Sequence, residues 1–236
     1  MDYQIIQTGS SGNAVVINGH ILIDCGVSMK KLRPYIRDLN LVLLTHIHGD
    51  HFKESTVREL HRQRPILRFG CCKWMLDPLL NAGVDKRSID VYEFLGTEGL
   101  TYTYLVRSPF CVRPVKLTHN VPNCGYVISE SSETAFYATD TGTLEGISEK
   151  DCELYLIEAN HGEAELEARA AAKLEAGEYS YESAAAVNHL SKEKALDWLS
   201  QNMGPQSKYV FLHRHENREE VNNGGREDAE GIHQDF

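Results

Sequence analysis

The chain has 236 residues, 42% of them hydrophobic, 8% aromatic and 25% charged, a balance that suits one large α/β domain with a real core. Its formal net charge of -10 argues against a broad non-specific grip on DNA or on an anionic membrane, which needs a basic face. A phosphate-bearing substrate stays open, because a bound cation can be the largest charge in a site.

The first half reads as short β-runs: Tyr3 to Ile6, Ala14 to Ile17, His20 to Asp24 and Leu41 to Thr45. Asn18-Gly19 between apolar runs is a hairpin signal. Leu41-Val42-Leu43-Leu44 is apolar throughout, as a strand buried on both faces would be. A helix is expected to start near Ser55 or Thr56, where Thr56 and Glu59 have capping-box spacing, and to end at Pro65. A β-run from Ile66 to Phe69 follows, then a helix from Lys73 to Ala82 closed by Gly83. Further strands are expected at Val91 to Phe94, Leu100 to Val106, Val112 to Thr118, Tyr126 to Ser129, Thr134 to Thr139 and Leu154 to Ile157. Three helices come next: an Ala/Glu-rich one from Glu163 to Ala176, one from Tyr181 to His189, and one from Ser191 to Asn202 with Ser191 as N-cap. Tyr209 to Leu212 is a last strand, and the tail from Arg218 to Phe236 is polar. The mixture predicts two β-sheets with helices outside them.

No apolar run approaches the length of a membrane span, and Met1-Asp2-Tyr3-Gln4 lacks a basic n-region and an apolar h-region, so no signal peptide is expected. The cysteines (Cys25, Cys71, Cys72, Cys111, Cys124 and Cys152) include no C-x-x-C pair and suggest no disulfide framework. The expectation is a cytoplasmic protein with reduced thiols and no membrane partner.

The chemistry concentrates in Thr45-His46-Ile47-His48-Gly49-Asp50-His51, directly after a buried strand. Imidazole and carboxylate are the usual ligands of zinc and similar ions. The spacing of two puts His46 and His48 on one side of an extended chain, whereas Asp50 and His51 turn away, able to reach a second ion. These residues alone cannot complete two sites. His119, Asp140 and His213 each stand at the exit of a β-run, where strand ends on one sheet edge converge.

The order Asp24 (in Leu22-Ile23-Asp24-Cys25-Gly26), H-x-H-x-D-H at 46–51, His119, Asp140 and His213 resembles the metallo-β-lactamase superfamily over nearly the whole chain. The resemblance implies a four-layer αβ/βα sandwich over residues 1–217, followed by the polar tail 218–236. It implies that His46, His48 and His119 hold one divalent ion and that Asp50, His51 and His213 hold the other. Asp140 would bridge the two, and Asp24 would orient the ligands. Zinc is the first candidate for both ions and manganese the second. Gly9-Ser10-Ser11-Gly12-Asn13, Ile157-Glu158-Ala159-Asn160-His161 and Asn188-His189-Leu190-Ser191-Lys192-Glu193 narrow the resemblance to bacterial and phage hydrolases of the YycJ/WalJ type, which are similar to ribonuclease Z-like phosphodiesterases. A bridging Asp rather than Cys at 140 disfavours antibiotic hydrolysis. The 72 residues between Asp140 and His213 leave no room for an extra nuclease domain.

The activity expected is phosphodiester hydrolysis at nucleic-acid ends or on short strands through a metal-bridging hydroxide. The alternatives are a cyclic-nucleotide phosphodiesterase and a thioester or lactone hydrolase on the same centre. His189 is the candidate proton donor, and Asp50 a second catalytic candidate. Glu158 and His161 would orient His189 or meet substrate, and His215 is the fallback for His213. The loop from Thr8 to Asn13 could offer N–H groups to a phosphate, with a plain β-turn as the simpler reading. His20, His61 and His233 read as surface residues. Relatives of this type are often dimers, which leaves a homodimer open.

Overall fold

Two sheets face each other, and alternation along their strands decides which side chains meet. The computed structural model describes residues 1–94, 110–177 and 182–213. The first sheet holds β1 (Tyr3–Gln7), β2 (Ala14–Ile17), β3 (Ile21–Ile23), β4 (Leu41–Leu44), β5 (Arg68–Cys72) and β6 (Ile89–Tyr92) in that order. The second holds β7 (Phe110–Leu117), β8 (Asn123–Glu130), β9 (Glu133–Ala138), β10 (Leu154–Glu158) and β11 (Lys208–Leu212), with β7 at one edge and β11 at the other. In β4, Leu41 and Leu43 enter the core between the sheets, where they join Tyr126, Ile128, Tyr137 and Leu156. Val42 and Leu44 point the other way, to a core shared with Leu32 of α1 (Met29–Leu32), Val57 and Leu60 of α2 (Glu54–Gln63) and Leu79 of α3 (Leu76–Asn81). The outer face of the second sheet packs Phe136, Tyr155 and Ile157 on Ala195, Trp198 and Leu199. Those three belong to the last helix, α6 (Lys192–Asn202), which follows α4 (Glu163–Glu175) and α5 (Glu182–Asn188). The result is the helix–sheet–sheet–helix layering that the sequence predicts.

The sheets are antiparallel at one end and parallel at the other. β3 pairs parallel with β4, and β10 pairs parallel with both β9 and β11. Parallel neighbours release their chains at the same edge. That edge therefore collects Asp24 after β3, His46 after β4, Asp140 after β9, Glu158 at the end of β10 and His213 after β11. Asp24, Asp140 and His213 leave their strands with φ of 60°, 57° and 53°, a region non-glycine residues occupy at a cost. The Asn18-Gly19 turn joins antiparallel β2 and β3 with φ of 47° and 74°, as a tight hairpin demands.

Several boundaries differ from the expectations. α2 starts at Glu54, and Thr56 does not cap it: its buried hydroxyl donates to Val27 O at 2.8 Å, a tertiary bond that outcompetes the local cap. Lys73 to Ala82 splits into a 3₁₀ turn, Lys73–Met75, and α3, with Pro78 within the first turn where its missing N–H costs nothing. The short α1 carries no amphipathic signal long enough to read. Ser191 does cap α6, accepting from Lys194 N–H at 3.2 Å. The strand expected at Leu100 to Val106, the residue His215 and the tail 218–236 lie outside the described residues. Among the described residues no helix is long and apolar enough to cross a membrane. All six cysteines are free, and burial pushes the Cys71 thiol up to about 12.

Trp198 is 8% exposed, lies against Phe136 and Tyr155 and donates to Ile147 O at 2.8 Å. Replacing it with Ala should cost about 3–5 kcal/mol in urea unfolding, while Leu174→Ser at a site 79% exposed should stay within about 0.5 kcal/mol.

Candidate metal centre

The loop after β4 brings three imidazoles to one point. His46 Nε2 lies 3.1 Å from His48 Nδ1, and His119 Nε2 lies 3.3 Å from the same nitrogen. A tetrahedral ion with metal–nitrogen bonds of about 2.0–2.1 Å sets its ligands about 3.3 Å apart, so this trio has the right gauge. A second group gathers beside it. His51 Nε2 is 2.7 Å from Asp140 Oδ2 and 3.6 Å from Asp50 Oδ2, and His213 Nε2 is 3.5 Å from Asp50 Oδ2 and 3.6 Å from Asp140 Oδ1. Asp140 also groups with His46 and His51, which places it between the two sets.

In four of these five rings the opposite nitrogen is occupied. His51 Nδ1 donates to Asp24 Oδ2 at 2.7 Å, His213 Nδ1 to Glu158 Oε1 at 3.0 Å and His119 Nδ1 to Asn188 O at 3.0 Å. Thr45 spends its hydroxyl proton on Asp24, so at 2.9 Å its oxygen accepts from His46 Nδ1. In its neutral form each of these four rings turns an Nε2 lone pair into the cleft, the tautomer a cation requires. Asp140 Oδ2 is buried without a hydrogen-bond partner although His51 Nε2 is so near. An orphaned buried carboxylate oxygen beside aligned lone pairs fits a divalent ion.

The charges confirm how tightly this set is coupled. Burial, helped by the neighbouring His51, holds His46 down at about 2. Burial also disfavours charge on His213 and His51, but Asp50, Glu158 and Asp140 lift His213 to about 10, and Asp140 with Asp24 lift His51 well above its usual range. Asp50, Asp140 and Glu158 are held below the ordinary carboxylate range, since the imidazoles outweigh burial in each.

The structure brings His46, His48, Asp50, His51, His119, Asp140 and His213 together, with Asp24 behind His51 and Glu158 behind both His213 and His189. His189 Nδ1 lies 2.7 Å from Glu158 Oε1 and 3.5 Å from Asp140 Oδ1, and its ring stacks on His213. His161 does not join them. Its Nδ1 faces Asn160 Oδ1 at 3.4 Å, and among the described residues no hydrogen bond links it to His189. The loop from Thr8 to Asn13 is a plain turn: Gly12 N–H goes to Gly9 O, and Gly9 N–H to the Asn13 side chain. His20 and His61 are half-buried rather than on open surface, the former beside Glu130 and the latter accepting from Asp85 N–H. Sequence reasoning missed Asn13, Thr45 and Asn160, which touch His51, His46 and His213 respectively. Thr45 stands in the motif itself and Asn160 within a segment already singled out, so adjacency was the available signal.

A sequence model described as the Beta-lactamase superfamily domain matches residues 20–213. The exodeoxyribonuclease WalJ of Streptococcus pneumoniae is 26% identical over 232 residues, covering 89% of this chain and 80% of that protein. Among solved structures, the metallo-beta-lactamase fold protein YhfI of Bacillus subtilis is similar with a TM-score of 0.66 and 16% identity, covering 92% of this chain and 88% of its own. The short form of human tRNase Z (ELAC1) is similar with a TM-score of 0.63 and 16% identity, covering 91% and 92%. At those identities the structural likeness is one of fold.

Asp24 accepts from Thr45 N–H, the Thr45 hydroxyl and His51, so an amide there would turn donor against donor. Asp24→Asn should lose about 1–3 kcal/mol in urea melts and weaken metal binding about 10- to 100-fold in titration. A pH effect should accompany it in the metal-free protein. The raised His213 stabilises fully below 6.5, and that contribution fades as pH climbs through about 10. The lowered carboxylates stabilise above their ordinary range, and theirs fades as pH falls below it. His46, held down at about 2, works the other way from His213 and withdraws stability as pH falls below 6.5, so the metal-free melting temperature should peak at about pH 6.5 and fall on both sides. Metal uptake at higher pH should release protons, read as a heat that varies with buffer.

Proposed function

Because the chain belongs to the beta-lactamase superfamily, we propose that it is a metal-dependent hydrolase of phosphodiester bonds, a nuclease acting on nucleic-acid ends or short strands. The observation that carries the reading is the Glu158–His189 couple on the rim of a cleft that can hold two cations. The exodeoxyribonuclease relative supports the substrate class. We assign His46, His48 and His119 to one ion, Asp50, His51 and His213 to the other, and Asp140 to both, with zinc first and manganese second. When bound, the ions would supply Lewis acidity and a water acidified toward neutrality.

The chain's own groups then have distinct tasks. Glu158 is fully buried and ionised, so His189 must donate its Nδ1 proton to it. That leaves Nε2 as the atom that carries a transferable proton to a leaving oxygen, with Glu158 steadying the imidazolium. The same carboxylate accepts from Thr141 N–H at 3.0 Å and Leu190 N–H at 3.2 Å, so it is held from four directions. We assign Asp50, whose side chain is partly exposed beside His51 and His213, to orienting an attacking water. The net charge of -10 favours a second reading, a small cyclic nucleotide as substrate, since so acidic a chain attracts long polyanions weakly. A cytoplasmic location and a homodimer remain part of the proposal.

With zinc or manganese loaded, cleavage is expected on single-stranded DNA or RNA, and not on a thioester. His189→Ala should keep its metal and lose about 100- to 10 000-fold in kcat on nucleic acid. The loss should be far smaller on a nitrophenyl phosphodiester, whose leaving group needs no proton. His46→Ala or a chelator should abolish both activities. Full activity in His46→Ala would sink the metal mechanism, thioester cleavage alone would sink the phosphodiesterase reading, and cyclic-nucleotide cleavage alone would select the second substrate.

A further inference from the structure

Asn13 is 1% exposed, and its whole side chain is engaged. Oδ1 accepts from Gly9 N–H at 2.8 Å. Nδ2 lies 2.8 Å from His51 Nε2, 3.2 Å from Asp50 O, 3.3 Å from Asp50 Oδ2 and 3.1 Å from Gly9 O. Its backbone N–H donates to Asp50 O at 2.6 Å, and its own O accepts from Gly26 N–H at 3.0 Å. From the same loop, Thr8 Oγ1 accepts from His213 N–H at 2.7 Å. The loop thus touches Asp50, His51 and His213. Among the described residues no hydrogen bond joins it to His46, His48 or His119.

The close approach is built into the backbone. A Cβ on Gly26 would sit 1.7 Å from Asp50 O, and one on Gly12, at φ 143°, would sit 2.8 Å from Gly26 O. Only glycine at both lets the loop press against the segment that carries Asp50. An amide is also the apt group there. Its two protons face three oxygens, Gly9 O, Asp50 O and Asp50 Oδ2, so when a cation takes the His51 Nε2 lone pair a proton remains for the Asp50 carboxylate. It steers both ligands without adding charge that would compete for them.

We propose that the loop from Thr8 to Asn13 is the positioning element for one of the two ions, the one assigned to Asp50, His51 and His213, with Asn13 as its principal residue. The proposal rests on the two-ion reading above. It predicts selective damage, because the loop reaches one set of donors and leaves the other alone.

The test is titration of metal-free wild-type, Asn13→Ala and Thr8→Val chains with cobalt(II), read by calorimetry and visible absorption. The wild-type chain should bind two equivalents. Asn13→Ala should bind one of them unchanged and the other about 10- to 100-fold more weakly. Asp50→Ala should weaken that same equivalent, and Asn13→Ala on top of Asp50→Ala should again act on that equivalent alone and cost less than it does by itself, whereas Asn13→Ala with His119→Ala should weaken both. Thr8→Val keeps the side chain's volume but loses the acceptor for His213 N–H, and it carries the same test if Asn13→Ala does not fold. Two wild-type equivalents that the loop variants leave unchanged, or weaken equally, would overturn this inference alone. Fewer than two wild-type equivalents would overturn the two-ion reading and this inference with it.

Discussion

The buried carboxylate of Asp24 is the tie on which the site depends. It is 0% exposed and takes hydrogen bonds from Thr45 N–H, the Thr45 hydroxyl and His51. Tyr137, on the other sheet, reaches the same oxygen at 3.4 Å. A charge so buried is tolerable only when its lone pairs are filled. Filling them fixes the strand exit at Thr45, hence His46, and the ring of His51. Glu158 plays the matching part on the second sheet, bonding His189, His213, Thr141 and Leu190. Two buried anions, one per sheet, thereby orient imidazoles that converge from both.

That arrangement explains why a chain with net charge -10 can still serve a phosphate-bearing substrate. Several acids sit on solvated faces, as on the first turn of α4, where Glu163 and Glu165 are exposed. The carboxylates of the cleft are instead matched by imidazoles, and cations would complete them. A local field set by such ions dominates at contact distance, while the distant surface charge is screened within about 8–10 Å at ordinary salt. Net charge therefore bears on how far the chain attracts a long polyanion, and much less on whether it can bind one phosphodiester.

Much of this is legible in sequence because the candidate ligands follow strands. β4 reads as buried on both faces, and a His or Asp directly after a buried strand is conspicuous. Asp140 and His213 are found by the same rule. The rule fails where a residue's use depends on a distant partner. Asn13 looks like a turn residue and is one, yet its amide is turned on Asp50 and His51 from 37 and 38 positions away. Thr56 looks like a helix cap, and a tertiary acceptor at Val27 claims it. His161 lies one residue from Asn160, but only the asparagine reaches His213. Local spacing cannot tell these neighbours apart, because the sheet edge decides which side chain faces the cleft.

The left-handed backbone at Asp24, Asp140 and His213 sharpens the point. Glycine would relieve a cost of about 1–3 kcal/mol at each and remove the chemistry with it. Aspartate, with a short side chain that bonds locally, bears this conformation better than most residues, and two of the three are aspartates. Histidine shares that tolerance in part. At 213 the strain is offset by fixed partners: the backbone N–H is held by Thr8, the carbonyl by Asn160 and the ring by Glu158. The turn at each exit swings a side chain from the sheet plane into the space between the two sheet edges. A strand continuing straight would carry it past. The strain is thus the geometric condition for donors from separate strands to share one point, and it persists because the surrounding hydrogen bonds leave the chain no other exit.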